Sequence, residues 1–144
     1  MILADEAATV ELGQRLAKVL RPGEVVTLSG PLGVGKTALA RAIIRALGHS
    51  GDVPSPSFAI VQPYEELGPP IWHVDLYRLE NAQELDELGL DSASDSALLV
   101  EWPERAGASA WPEALRLTLE FAQGGARRLT AHVPPAWQER WPPE

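Results

Sequence analysis

The eight residues GPLGVGKT, at positions 30–37, constrain the fold of this chain more than any other stretch. They fit the pattern G-x-x-x-x-G-K-[ST] and lie between a strand-like run, EVVTLSG, and a helical pattern, KTALARAIIRALG. This order predicts a loop whose backbone N–H groups close around phosphates at the N-terminus of the helix. We therefore predict a nucleoside triphosphate site in which Lys36 reaches the β- and γ-phosphates and the Thr37 hydroxyl binds Mg²⁺. The alternative is a turn that only connects a strand to a helix.

A carboxylate ends the apolar run in ALLVEWPE, residues 97–104. A buried charge without a partner is costly, so Glu101 at the end of a predicted strand needs an explanation. A phosphate loop requires an acidic group at the end of a neighbouring strand to hold Mg²⁺, which makes Glu101 the predicted metal ligand. Asp75 in HVDLYRL is the second candidate. The alternatives are that Glu101 faces solvent and that Asp75 pairs with Arg78 on the surface.

Helical and strand-like patterns alternate along the rest of the chain. Helical patterns cover residues 5–20 and the segment NAQELDELG, which Asn81 would cap. The strand-like runs are FAIVQPYEE, IWHVDLY, LLVEW, LRLTLEF and RRLTAHV, and the last two flank QGG as a hairpin would. We predict an α/β fold of the P-loop NTPase class, with a central, mainly parallel sheet, antiparallel strands at its sides and helices on both faces. The predicted domain covers residues 1–133, and residues 134–144 form a Pro-rich tail predicted to be loose at its end.

The composition of the chain limits which partners and which cellular compartment we expect for the protein. Twenty acidic residues against 12 basic ones give a net charge of −8, the wrong sign for gripping a phosphate backbone. Any nucleic acid is therefore expected to be held by something else. The chain has no cysteine, and its N-terminus carries acids where a signal peptide would carry bases. No apolar stretch approaches the roughly 20 residues that a membrane span needs, so we predict a cytoplasmic protein without membrane contact.

Motifs that would specify the class of triphosphatase are sparse. The chain has no [NT]-K-x-D motif of the kind that reads guanine, and DELG at residues 86–89 follows no predicted buried strand. A small P-loop kinase needs a second substrate site and an Arg-bearing lid, for which residues 104–116 offer room but few arginines. A kinase and a nucleotide-sensing adaptor with little turnover both stay open as alternatives to an ATPase.

Five segments occur together in a characteristic order: GPLGVGKT, VPSPSFAIVQPYEE, WHVDLYRL, ELDELGL and LVEWPE. In order and rough spacing they resemble the TsaE (YjeE) family across residues 5–133. The resemblance implies Mg²⁺-dependent ATP hydrolysis in the threonylcarbamoyladenosine modification of tRNA. It also implies that the protein acts with TsaD, which transfers the threonylcarbamoyl group, and with TsaB. The TsaB–TsaD complex would stimulate ATP hydrolysis that is slow in the isolated protein. The tRNA would then be reached only indirectly, through that complex.

The same resemblance assigns roles to individual residues. Phosphate contacts would come from Gly33, Val34, Gly35, Lys36, Thr37 and Ala38. Mg²⁺ would be held by Thr37 and Glu101, with Trp102 packed beside that carboxylate. Asp75 would lie near the γ-phosphate, as a residue that orients water or acts as a switch, so Lys36 and Asp75 are the predicted catalytic pair.

Other implied positions depart from the family pattern or match it weakly. Ser55 and Ser57 lie in SPSF, the segment that in the family faces the γ-phosphate, and Ser57 stands where threonine is usual. Glu6 and Arg127 match positions that border the nucleotide base, although either could be an ordinary surface charge. Ala38 replaces the usual second threonine, which removes one hydroxyl near the phosphates and would lower affinity or rate without removing the site.

Overall fold

The computed structural model describes residues 1–54, 60–107 and 109–144. Within these residues a seven-stranded sheet has the order β1-β7-β6-β2-β5-β4-β3. Its strands are β1 (Ile2–Leu3), β2 (Val25–Ser29), β3 (Val61–Tyr64), β4 (Ile71–Asp75), β5 (Ala97–Glu101), β6 (Leu115–Phe121) and β7 (Arg127–His132). Strands β6, β2, β5 and β4 are parallel neighbours, whereas β3 on one side and β7 with β1 on the other pair antiparallel. The predicted parallel centre with antiparallel additions is confirmed.

Three α-helices accompany the sheet in the described ranges: α1 (Glu6–Val19), α2 (Lys36–Ala46) and α3 (Ala82–Glu87). Asp5 caps α1 by accepting a 2.9 Å hydrogen bond from the backbone N–H of Ala8. Asn81 caps α3 in the same way, as predicted. Helices α1 and α2 pack so closely that a Cβ atom on Gly13 would lie 2.4 Å from the Cβ atom of Ala42. No described helix is long and apolar enough to cross a membrane.

Alternation along the parallel strands divides the core into two layers. On β5, Leu99 faces the large cluster under α1 and α2, whereas Leu98 and Val100 face a smaller cluster on the opposite side. The short α3 contributes only partly buried side chains, such as Leu85, to that smaller cluster. Helices therefore lie on both faces of the sheet, but the two long ones share one face.

Both chain ends carry structure that the sequence analysis did not predict. Strand β1 was not predicted, because two residues carry no periodic pattern and their pairing depends on the distant β7. The Pro-rich tail packs against the domain along its first part: Trp137 is 1% exposed, and Arg140 forms an ion pair with Glu24. Looseness at the end of the tail stays a prediction. Burial of a large aromatic ring offsets the entropy that a loose tail would keep. The run FAIVQPYEE forms a strand only at Val61–Tyr64, and its first two residues lie outside the described ranges.

Candidate nucleotide site

The carboxyl ends of β2, β4 and β5 meet at one edge of the sheet, as the ends of parallel strands must. Register places Glu101 on β5 beside Leu28 on β2 and beside Asp75 on β4. The glycine-rich loop follows β2 and leads directly into α2. A Cβ atom on Gly30 would lie 2.4 Å from the carbonyl oxygen of Leu119, and Gly35 has a φ of 116°, so both positions require glycine. Strand register and loop geometry together bring the predicted phosphate and metal residues to one place.

A cavity of about 380 Å³ opens at this edge. Its lining comes from the loop, the start of α2, the end of β4 and the end of β5. The lining residues are Leu32, Gly33, Gly35, Lys36, Thr37, Ala38, Asp75, Tyr77, Arg78, Glu101 and Trp102. Most of the predicted phosphate and metal residues therefore converge on one cavity. Val34 is the exception in the loop, because its side chain is buried in the core.

Glu101 does not face solvent: it is 2% exposed, and both of its oxygens are hydrogen-bonded. The Thr37 hydroxyl donates to Oε1 at 2.7 Å, and Nε2 of His73 lies 2.6 Å from Oε2. A hydroxyl that gives its hydrogen to a carboxylate keeps both lone pairs, and those of Thr37 can then face a cation. The solvent-facing alternative for Glu101 is wrong.

Lys36 is buried beside the loop, at 4% exposure. Its ammonium group donates a hydrogen bond to the carbonyl oxygen of Gly30 and lies 3.4 Å from the centroid of the Trp102 ring. Burial lowers the pKa of Lys36, while the nearby carboxylates of Glu101, Glu104 and Asp75 act in the opposite direction. Trp102 holds its place under the ammonium in a left-handed backbone conformation, with a φ of 58°.

Asp75 is also buried, at 6% exposure, so it is not the surface charge that the alternative interpretation required. Its carboxylate accepts a 2.9 Å hydrogen bond from the backbone N–H of Tyr77. Burial raises the pKa of Asp75, the neighbouring Glu101 raises it further, and the hydrogen bond from Tyr77 opposes both. A carboxylate with a raised pKa at the wall of the cavity is suited to accept a hydrogen bond, or a proton, from water.

Two predicted base-bordering residues lie outside this cavity. Glu6 is exposed and lines a separate space of about 300 Å³ between α1 and α2, which shares Ala38 with the first cavity. Arg127 donates from Nε to the carbonyl oxygen of Val34 at 2.9 Å, and its guanidinium carbon lies 4.7 Å from the Phe121 ring centroid. Arg127 therefore braces the loop from outside. The predicted Ser55 and Ser57 lie outside the described residues.

Sequence reasoning missed His73. It is fully buried on β4, within a run that the sequence predicts only as a strand. One signal was available: in a strand, residues two apart point to the same face, so His73 was bound to share a face with Asp75. A histidine on a buried face next to a strand-end carboxylate needs a polar partner, and Glu101 is that partner.

Oxygen donors at this edge fit Mg²⁺ in complex with a nucleotide. Mg²⁺ is usually held by one or two protein oxygens together with substrate phosphates and water, not by a cage of protein ligands. Thr37 and Glu101 supply such a pair of oxygens. Across the described part of the chain no group of three or more His, Asp or Glu side chains could hold a metal ion alone. The donor set fits an ion that arrives with phosphate.

The parallel sheet, with a glycine-rich loop joining β2 to α2, defines the fold of the P-loop NTPases. A family model described as "Threonylcarbamoyl adenosine biosynthesis protein TsaE" matches residues 3–129, and the chain belongs to this family.

Individual relatives agree with the family assignment. The tRNA threonylcarbamoyladenosine biosynthesis protein TsaE of Streptomyces coelicolor is 45% identical over 136 residues, which cover 91% of this chain and 92% of that protein. The protein with the same name from Haemophilus influenzae is 37% identical over 119 residues, covering 78% and 75%. The crystal structure of Bacillus subtilis YdiB is similar with a TM-score of 0.79 and 26% identity, covering 96% of this chain and 87% of that one.

Proposed function

We propose that this protein binds ATP with Mg²⁺ at the phosphate loop and hydrolyses it in support of the threonylcarbamoyladenosine modification of tRNA. The observation that carries the proposal is the 2.7 Å hydrogen bond from Thr37 to Glu101, at the wall of the cavity that also holds Lys36. A turn that only joined a strand to a helix would have no reason to bury a lysine and a glutamate together. The names of the similar proteins support the pathway.

Catalysis in such a site depends on positioning and on neutralising phosphate charge. Lys36 would exchange its contact with the Gly30 carbonyl for a stronger one with a phosphate oxygen, since an ionic acceptor binds an ammonium better than a neutral one. Thr37 and Glu101 would hold Mg²⁺, which supplies positive charge against the phosphates when bound. Asp75, fixed by the N–H of Tyr77, would orient the attacking water from the end of β4.

The proposed partners are TsaB and TsaD. Large apolar side chains lie exposed at the rim of the cavity, with Leu32 72% and Tyr77 42% exposed. Such side chains next to a nucleotide suit a protein partner that senses what is bound. The net charge of −8 argues against direct binding of tRNA, so tRNA would be reached through the complex, in the cytoplasm.

Phosphate release from ATP, measured with and without Mg²⁺ and with and without TsaB–TsaD, tests the proposal. We expect slow Mg²⁺-dependent turnover that the complex stimulates, and a folded Lys36→Ala protein with turnover reduced at least about 100-fold. Circular dichroism of both proteins controls for folding. A Lys36→Ala protein that turns over ATP as fast as wild type would overturn the site. Transfer of phosphate to a small acceptor would indicate a kinase. Tight ATP binding without turnover would indicate an adaptor.

The proposed route to tRNA has its own test. We expect no measurable affinity of the isolated protein for tRNA at physiological salt, together with ATP-dependent association with TsaB–TsaD that Asp75→Ala weakens. Filter binding and pull-down measure the two. Tight, salt-sensitive binding of tRNA by the isolated chain would contradict the indirect route.

A further inference from the structure

His73 occupies an unusual place for a histidine in a sheet. It lies on β4, which is paired with a strand on each side, is fully buried, and contacts the carboxylate that accepts the hydrogen bond of the Thr37 hydroxyl. Register pairs His73 with Leu99, so Glu101 is its diagonal neighbour two residues further along β5. The imidazole is therefore buried beside Glu101, and His73 is not among the residues that line the cavity.

Hydrogen-bond accounting identifies the atom that carries the proton. The Thr37 hydroxyl donates to Oε1 of Glu101, and an ionised carboxylate can only accept at Oε2 as well. Nε2 of His73, 2.6 Å from Oε2, is therefore the donor. Nδ1 has no hydrogen-bond partner among the described residues, so the proton is best placed on Nε2. Thr37 and His73 are therefore two donors to one shared acceptor, the carboxylate of Glu101.

We propose that His73 is a positioning residue for the metal site. By donating to Oε2 it fixes the orientation of the Glu101 carboxylate, which in turn fixes the hydroxyl hydrogen of Thr37. The lone pairs of Thr37 then face the cavity before any ion arrives. This inference rests on the proposed Mg²⁺–nucleotide site, and it assigns His73 a role in metal affinity that a histidine buried only for packing would not have.

Mg²⁺ titration in the presence of a non-hydrolysable ATP analogue, followed by calorimetry, tests the role without turnover. We expect His73→Leu, which fills similar space without a donor, to weaken Mg²⁺ affinity by about 10- to 100-fold. Affinity for the analogue in EDTA is expected to stay unchanged. His73→Gln keeps an N–H group near Oε2 and is expected to restore most of the Mg²⁺ affinity. Val74→Ala is the matched control, because Val74 is a fully buried neighbour on the opposite face of β4; it should lose stability but keep wild-type Mg²⁺ affinity.

Equal Mg²⁺ affinity in wild type and His73→Leu would overturn the positioning role while leaving the proposed function intact. A wild-type protein that binds no Mg²⁺–nucleotide would overturn both. If His73→Leu fails to fold, nitrogen NMR of the wild-type imidazole still decides. We expect a protonated Nε2 that responds when Mg²⁺ and the analogue are added; an Nε2 without a proton, or one that does not respond, would refute the inference.

Discussion

Two largely buried glutamates at opposite ends of the parallel strands show how differently one residue type can be used. Glu24, just before β2, forms an ion pair with Arg140 and also accepts from the backbone N–H of Arg21 at 2.8 Å. Glu101, at the end of β5, is bound by Thr37 and His73, neither of which carries a permanent positive charge. Glu24 is neutralised by a direct ion pair. Glu101 has Lys36 nearby, but its two hydrogen-bond partners are Thr37 and His73, and it lines a cavity where a further cation could bind.

Surroundings reinforce this contrast. The hydrogen bond with Glu24 raises the pKa of Arg140, and the guanidinium carbon also lies 4.0 Å from the Trp137 ring centroid, so that corner is closed by its own side chains. At the other end, the ammonium of Lys36 contacts Gly30 and Trp102, and both it and Glu101 line a cavity. A buried charge whose partners all belong to the protein indicates a structural ion pair. A buried charge that lines a cavity indicates a binding site.

The largest expected effect lies in the closed corner. Trp137→Ala removes a ring that is 1% exposed, and we expect it to lower the free energy of unfolding by about 3–5 kcal/mol, measured by urea denaturation. Affinity for the ATP analogue at low temperature should not change, because Trp137 is not among the residues that line the cavity. Phe121→Ala, which removes a ring 57% exposed, is the control and should cost far less. A Trp137→Ala protein as stable as wild type would favour the loose tail predicted from sequence.

The open glutamate should behave in the opposite way. Glu101→Gln keeps the shape but loses the charge that helps to hold the ion, so we expect Mg²⁺-dependent ATP turnover to fall by more than about 10-fold. The midpoint temperature of thermal unfolding should stay close to that of wild type. An unchanged Mg²⁺ titration would show that Glu101 is a structural residue and would remove the basis of the comparison.

Glu24→Gln is the matched substitution in the closed corner, and its expected effect is smaller. The amide still accepts one hydrogen bond but loses the ionic partner of Arg140, so we expect a loss of about 1 kcal/mol in the free energy of unfolding. Mg²⁺-dependent turnover should equal that of wild type. A Glu24→Gln protein that lost turnover but not stability would mean that the two glutamates are not distinguished by their partners.

The features that could be predicted from the sequence each lie within one unbroken stretch of it. The phosphate loop is one unbroken pattern, and strand-end carboxylates such as Asp75 and Glu101 are visible within their own strands. His73 and Arg140 could not be assigned in this way, because their partners lie 28 and 116 residues away. Strand periodicity places His73 on the face of Asp75, but its contact with Glu101 and the burial of the tail follow from the register and packing of distant segments, which local periodicity does not encode.

The smallest expected effect concerns an exposed ion pair that does not line the nucleotide cavity. Nδ1 of His49 lies 3.0 Å from Oε1 of Glu66, whose side chain is 60% exposed. The hydrogen bond with Glu66, with help from the carbonyl oxygen of Asp52, raises the pKa of His49, and the same bond lowers the pKa of Glu66. The contribution of His49 to stability is therefore present below its unfolded pKa, near 6.5, and is lost as pH rises through its higher folded pKa.

Proton NMR of the imidazole measures this directly. In Glu66→Gln we expect His49 to titrate at a lower pH than in wild type, while Glu65→Gln, which changes the adjacent exposed carboxylate, should leave the titration unchanged. The Glu66 contribution has the opposite sign: it is present above the unfolded pKa of Glu66 and is lost as pH falls through its lowered folded pKa. The pair thus acts in the mildly acidic range between the two titrations. Identical His49 titrations in wild type and Glu66→Gln would mean that solvent screens the contact completely. A pair this exposed has no buried surroundings to strengthen it.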